Sequence, residues 1–348
     1  MLKKNILCLI LTFASVCVSE LSLAQDIHFS QFWMAPVNQN PALAGAFYDK
    51  EGILNYKNQW GSVSSPYKTF NASYDMAIMK QKTKMGFLGA GINIFYDKAG
   101  DSQMGTMEAS LSAAYHLHLN DRNTVAAGIT GGFAQRTINY GGLQWGNQFD
   151  GNNYQSAIPS GEPVGAESKT FADMGAGVLW TIIKGDDEAN DYERIRMNIA
   201  VAAFHLNLPN YSFYNSEEKL YRKWAAQANC LYGFANTDFS VIPGFIYYRQ
   251  ETTQEFVAGS LFRYVIRESA KFTGIIAGSA VSLGIHFRME DAAIVSAFIE
   301  KGLYTFGISY DLNTSDLKPA SSSNGGIEIS LRYVTPGPFS ANSSYKHK

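Results

Sequence analysis

The side chains able to do chemistry are few and widely spaced along this 348-residue chain. His116 and His118 stand two apart, so on an extended segment both point to one face and could share a metal ion. No third ligand lies nearby in sequence, and two histidines on a polar face are the simpler reading. The run "GDDEANDYE" (185–193) gathers five acidic residues in nine positions. Such hard oxygen ligands suit calcium, but the fixed spacing of a calcium loop is missing, which leaves a solvated turn. There is no Gly-x-Ser-x-Gly elbow, no phosphate-binding glycine loop and no Cys/His spacing for zinc. The expectation is a protein with no catalytic residue, no cofactor and no metal.

The front of the chain reads as an export signal. Lys3 and Lys4 precede the apolar stretch "ILCLILTFASVCV", and Ser22 and Ala24 give the small-x-small pattern of a cleavage site. The apolar run is too short for a membrane-spanning helix. Cleavage after Ala24 removes 24 of 348 residues and leaves 324, starting at Gln25. Cys8 and Cys17 leave with the signal, so Cys230 has no partner for a disulfide within the chain. Lys3, Lys4 and Glu20 leave too, so 28 basic and 30 acidic residues become 26 and 29. A net charge of −3 without long like-charge blocks excludes the electrostatic footprint of a nucleic-acid binder.

What must position any site is a series of long strands. In "YTFGISYDL", Tyr304, Phe306, Ile308 and Tyr310 share one face while Thr305, Gly307, Ser309 and Asp311 share the other. In "GGIEISLRYV", Ile327, Ile329, Leu331 and Tyr333 oppose Glu328, Ser330 and Arg332. The same split recurs in about fourteen segments, near 51–60, 66–77, 85–97, 104–118, 123–137, 170–182, 194–206, 219–234, 238–249, 254–266, 278–288, 291–300, 302–312 and 325–334. Residues 266–279 are the place where strand and connection are hardest to separate.

An even number of antiparallel strands of about ten residues or more predicts an all-β fold, a transmembrane antiparallel β-barrel in the outer membrane, with lipid as its outer partner. A soluble sandwich would use strands of about half this length. Glycines crowd the polar face at 89, 91, 128, 132, 175, 177, 284 and 307, which suits a concave interior or the close approach of a plug. Trp60, Tyr96, Trp180, Trp224 and Tyr310 fall near strand ends on the apolar face, as in an aromatic girdle. With both chain ends in the periplasm, connections should alternate in length, short at 119–123, 235–238 and 300–302 and long at 138–169 and 207–218. The longest carries Tyr140, Trp145, Phe149 and Tyr154, which either contact a partner or fold over the barrel mouth.

Ahead of the first strand lies "FSQFWMAPVNQNPALAG" (29–45). Pro36 and Pro41 lack donors and bias the residues before them toward extended backbone, so the segment continues neither a ladder nor a helix. Phe29, Phe32 and Trp33 still need burial, and in a barrel the nearest shelter is the periplasmic mouth or the lumen. The domain plan is therefore a signal peptide (1–24), a plug or docking segment (25–50), a barrel (51–335) and a periplasmic tail (336–348).

Two stretches carry a resemblance. Phe29, Ser30, Gln31 and Phe32, then Asn40, Pro41, Ala42 and Gly45, then Gln59 and Trp60, then Pro66 and Thr69 resemble the opening of PorP/SprF family proteins. Tyr310, Asp311, Gly326, Glu328, Ile329, Ser330 and Leu331 resemble that family's closing hairpin, although Ile327 stands where the family often has histidine. The resemblance implies a non-enzymatic outer-membrane component of the type IX secretion system. It would assist secretion or surface attachment of large adhesins in gliding and related bacteria, or link the translocon to periplasmic parts. Its partners would be a secreted surface adhesin and other components of that system. A passive or substrate-specific channel is the alternative, and a hydrolase at the lumen or rim a third reading.

Overall fold

Period-two alternation, joined by turns that need positive φ, closes this chain on itself. The computed structural model describes residues 28–61, 65–80, 85–100, 102–184, 195–214, 216–267, 278–315 and 323–335. The export signal, the acidic run 185–193, most of 266–279 and the tail 336–348 lie outside the described residues.

Fourteen strands form one closed antiparallel barrel in which each pairs with its sequence neighbours and the first pairs with the last. They are β1 (Lys50–Gln59), β2 (Tyr67–Ile78), β3 (Gly86–Ala99), β4 (Met104–Asn120), β5 (Asn123–Thr137), β6 (Ser168–Lys184) and β7 (Ile195–Phe204). Then follow β8 (Lys223–Gly233), β9 (Phe239–Gln250), β10 (Thr253–Arg267), β11 (Ser279–Arg288), β12 (Ala292–Lys301), β13 (Tyr304–Asn313) and β14 (Asn324–Thr335). Each is long enough to cross a bilayer as a tilted strand. Closure leaves no unpaired edge, the condition for a sheet to stand in hydrocarbon.

The alternation sorts side chains between lipid and lumen. On β1, Leu54 and Tyr56 are exposed while Glu51, Ile53, Asn55 and Lys57 are buried inside. On β13, Tyr304, Phe306, Ile308 and Tyr310 face out and Thr305, Ser309 and Asp311 face in. An apolar band around the whole outside of a closed barrel finds its solvent in lipid. Tyr96, Trp180, Trp224 and Tyr310 lie on that outside surface. Trp60 is half-buried just past the last residue of β1, where it adopts φ 56°, donates its amide to the Gly325 carbonyl at 2.8 Å and packs edge-on against Tyr67.

Two ends can be told apart. At one, the terminal end, the chain enters β1 and leaves β14; the other, the loop end, carries the connections after odd-numbered strands. Length does not alternate strictly between them. The terminal end has two-residue turns at Asp121–Arg122 and Gly302–Leu303, but the loop end has one too, at Glu251–Thr252. Tight turns occur wherever a residue accepts positive φ, as Glu251 (53°), Glu290 (61°) and Gly302 (61°) do.

Candidate functional site

The residues ahead of β1 run inside the barrel. From His28 near the loop end, the chain runs through the lumen to Lys50 at the terminal end. It passes through a 3-10 turn at Phe32–Met34, one α-helical turn at Pro36–Gln39 and another 3-10 turn at Pro41–Leu43. Pro36 and Pro41 each open such a turn, where a missing N–H costs nothing. Local bonds hold the shape: the Gln39 side chain donates to the Phe32 carbonyl, and the Asn40 side chain accepts from Ala42 N at 2.8 Å.

Burial is nearly complete. Phe32 packs with Ile246, Val257 and Ile294, and Met34 with Ile53, Leu261 and Phe298. Trp33 bridges these groups and lies over His286 with ring centroids 4.5 Å apart. Phe29 meets Phe95 edge-on, and Leu43 joins Ala126, Leu179 and Ala200. Each large apolar side chain removed from water in this way contributes about 1.5–3 kcal/mol. That is enough to hold an irregular segment inside.

One wall of the lumen grips the segment with charge. The Glu328 carboxylate on β14 accepts from two successive amides, Ser30 N at 2.7 Å and Gln31 N at 3.1 Å. The Ser30 hydroxyl donates to Asp311 Oδ2 at 2.7 Å and accepts from Lys57 Nζ at 3.1 Å and Arg288 Nη2 at 2.8 Å. One donor and two lone pairs are all a hydroxyl has, and all are used. Arg288 also reaches Asp291 at 2.8 Å and Asp311 at 3.2 Å, and His28 Nδ1 lies 3.0 Å from Glu255. Gln31 donates to Ser309 Oγ and the Glu328 carbonyl, both at 3.1 Å, and accepts from Ser330 Oγ at 2.6 Å. These charges are paired several ways, the condition under which buried ions persist.

The opposite wall makes room instead. A Cβ on Gly128 would stand 2.5 Å from Ala42 N, and one on Gly89 would strike the Ala44 carbonyl. On Gly177 it would strike the Asn40 side chain, whose Nδ2 donates to the carbonyls of Val178 and Val201, both at 3.1 Å. His116 reaches the Ala44 carbonyl through Nε2 at 2.8 Å and stacks on Phe87, while His118 turns to Thr124. The two histidines hydrogen-bond to different partners although both rings lie near Phe87, and no cluster of three metal-binding side chains occurs among the described residues. Gly45 has φ 68°, donates to Asp75 Oδ2 at 2.7 Å and runs so close to Met76 that a Cβ would sit 2.6 Å from its carbonyl oxygen. Only glycine accepts both conditions.

The sequence-derived residues thus fall into three places. Phe29, Ser30, Gln31, Phe32, Pro36, Asn40, Pro41 and Gly45 are in the lumen with Asp311, Glu328 and Ser330, and Trp33 is half-buried there. Gln59 and Trp60 sit at the loop end of β1, where Gln59 pairs with Gly326, and Pro66 stands in the β1–β2 connection just before Tyr67. Leu331 and Tyr310 face outward; Leu331 pairs with Leu54 and Phe306, and the Tyr310 hydroxyl donates to Asn324 at 2.8 Å. Sequence reasoning did not single out Lys57, Glu255, Arg288 or Asp75. The available signal was charge of both signs at inward positions of several strands, where closure lets Lys57 and Arg288 meet Asp311.

The loop aromatics lie apart from the lumen on the β5–β6 connection. Its organiser is Gln148, which accepts from Trp145 N and the Tyr154 hydroxyl and donates to the Ile158 carbonyl. The backbone amides of Asn153 and Asn152, with the Gln155 side chain, hold the Asp150 carboxyl below the usual range. Phe149 is 56% exposed and Tyr154 is exposed, whereas Tyr140 and Trp145 are half-buried. Ala166 N donates to the Phe213 carbonyl and the Tyr214 hydroxyl to the Pro163 carbonyl, joining this loop to the β7–β8 connection.

A family model described as "Type IX secretion system membrane protein PorP/SprF" matches residues 21–333. No curated protein matches the chain. Among solved structures, the chain is similar to BamA from Haemophilus ducreyi lacking POTRA domains 1–3, at 8% identity, covering 82% of this chain and 70% of that one with a TM-score of 0.40. It is similar to a mutant of the TodX monoaromatic hydrocarbon channel at 9% identity, covering 86% and 93%, with a TM-score of 0.46. A FadL homologue from Pseudomonas aeruginosa gives 9%, 85%, 92% and 0.42 in the same order.

Proposed function

Because this chain belongs to the PorP/SprF family of type IX secretion system membrane proteins, we propose that it is a non-enzymatic outer-membrane barrel, closed by its own lumenal segment, that helps secrete or hold large surface adhesins. In this reading the export signal is cleaved after Ala24, residues 25–50 are the plug, the terminal end and the tail 336–348 face the periplasm, and the loop end faces outward. Linkage of the translocon to periplasmic components is the other role open to such a barrel.

The observation that carries the reading is the grip of Glu328, Asp311, Lys57 and Arg288 on Ser30 and Gln31. A segment held by buried charge on one wall and fitted to glycines on the other supports a closed lumen over an open pore. The linked connections around Gln148 and Phe213 then offer an ordered outer surface with Phe149 and Tyr154 exposed for a protein partner.

The competing reading is a channel. A small recess remains beside Val37 and Asn38, lined by Glu108, Ser110, Thr130, Asp173 and Lys223 among others. A deletion strain separates the two. The secretion role predicts loss of large surface proteins from the cell surface, with a Glu328→Ala protein restoring display less well than wild type. Normal surface display in the deletion strain would contradict it.

A further inference from the structure

Lys68 and Lys98 face each other across the β2–β3 ladder. Their neighbours inward along the two chains, Thr69 and Asp97, are buried in the lumen and bonded to each other at 2.7 Å, so alternation turns both lysines outward. Directly opposed residues hold their Cβ atoms about 5 Å apart, and like charges so placed destabilise the sheet. Among the described residues, no carboxylate pairs with either ammonium.

The surroundings sharpen the point. The next outward residues toward the membrane are Phe70 and Tyr96, themselves an opposed pair, with Tyr56 beside them on β1. The lysines therefore stand at the loop-end rim of the aromatic band, at headgroup level. Charged side chains on the outward faces of the described strands are Lys50, Lys68, Lys98, Lys184, Arg249, Arg267 and Lys301, with no Asp or Glu among them. Among these, Lys68 and Lys98 alone are opposed to one another; Arg249 faces Trp224 and Gln254, Lys301 faces Tyr304 and Ser279, and Arg267 faces Ser279. A surface that excludes carboxylates yet sets two cations side by side is matched to an anion supplied by its solvent.

We propose that Lys68 and Lys98 form a site for the phosphate of a phosphorylated glycolipid in the outer leaflet. The acyl chains of such a lipid would lie along Phe70, Tyr96 and the apolar positions below, while the two ammoniums share its phosphate oxygens. The proposal rests on the reading that the loop end faces outward.

The test uses the full chain in nanodiscs and measures retained lipid by native mass spectrometry. The probes are lipid A, dephosphorylated lipid A, phosphatidylglycerol and inorganic phosphate. The expected result is preferential retention of phosphorylated lipid A, reduced about tenfold or more in Lys68→Gln/Lys98→Gln and unchanged in Lys301→Gln. Equal retention by the double variant, or no preference over phosphatidylglycerol, overturns the proposal. Competition by inorganic phosphate at the same concentration as lipid A overturns it as well, by making the site one for a soluble anion. Orientation is read separately by labelling Asn153→Cys on intact cells with a membrane-impermeant maleimide, against the wild-type background of Cys230. Labelling there with no lipid preference rejects the site alone, whereas no labelling rejects the orientation.

Discussion

The two walls of the lumen hold the same segment by opposite means. Around β10–β14 and β1, directional bonds from Glu328, Asp311, Arg288 and Lys57 fix Ser30 and Gln31. Around β3–β7, glycines and alanines yield space, and the segment touches strand backbone through Ala42, Ala44 and Asn40. Charge gives orientation at a cost that rises when one partner is lost. Shape gives proximity and fails only when volume is added. A segment with two prolines and only single helical turns needs both, because neither a ladder nor a long helix supplies its register.

The largest effect is expected where two buried amides lose their shared acceptor. Glu328→Ala strips the acceptors from two buried amides, Ser30 N and Gln31 N, a loss of about 1–3 kcal/mol for each. The loss should appear as a lower unfolding temperature in detergent and faster proteolysis of residues 28–49. Next comes the opposite wall: Gly128→Leu drives a side chain into the Ala42 backbone at a cost of about 1–3 kcal/mol or more. If the segment is displaced rather than the barrel broken, Gly128→Leu gives the same protease sensitivity with an intact barrel by circular dichroism.

Gln31→Ala is expected to be milder, about 1–3 kcal/mol, since it leaves Ser309 and Ser330 to re-pair with each other's surroundings. Smallest is Gln148→Ala. It loosens the β5–β6 loop, measurable as cleavage within 140–166, and leaves the barrel's unfolding temperature within about a degree, because that loop shares no bond with the lumenal contacts. A Glu328→Ala protein as stable as Gln148→Ala would erase the distinction between the clamp and the rest of the molecule.

The barrel was legible because its code is simple: period two, repeated over segments as long as 104–118 and 123–137, survives any local exception. Boundaries slipped where the alternation carries no information, as at 219–222, which lies in the β7–β8 connection although it was read as part of a strand. The positive φ of Trp60 at the end of β1 was equally out of reach, since it leaves no mark in a pattern of greasy and polar residues. Inside the lumen the position was reversed. The motif residues Ser30, Asp311 and Glu328 stood out by their type, but their meeting across nearly the whole length of the chain depends on closure between β1 and β14. No spacing rule contains that contact. The crowding glycines were also legible only as a class: Gly89, Gly128 and Gly177 serve the segment, whereas Gly307 makes space for Phe298 and Ser330 within the wall.

The central claim is that the segment closes the lumen, and single-channel recording in planar bilayers tests it directly. The full-length protein is expected to show no steady large current, and deletion of residues 25–46 to open one, with Glu328→Ala producing intermittent openings between the two. A steady large conductance from the full-length protein, unchanged by the deletion, would contradict the account.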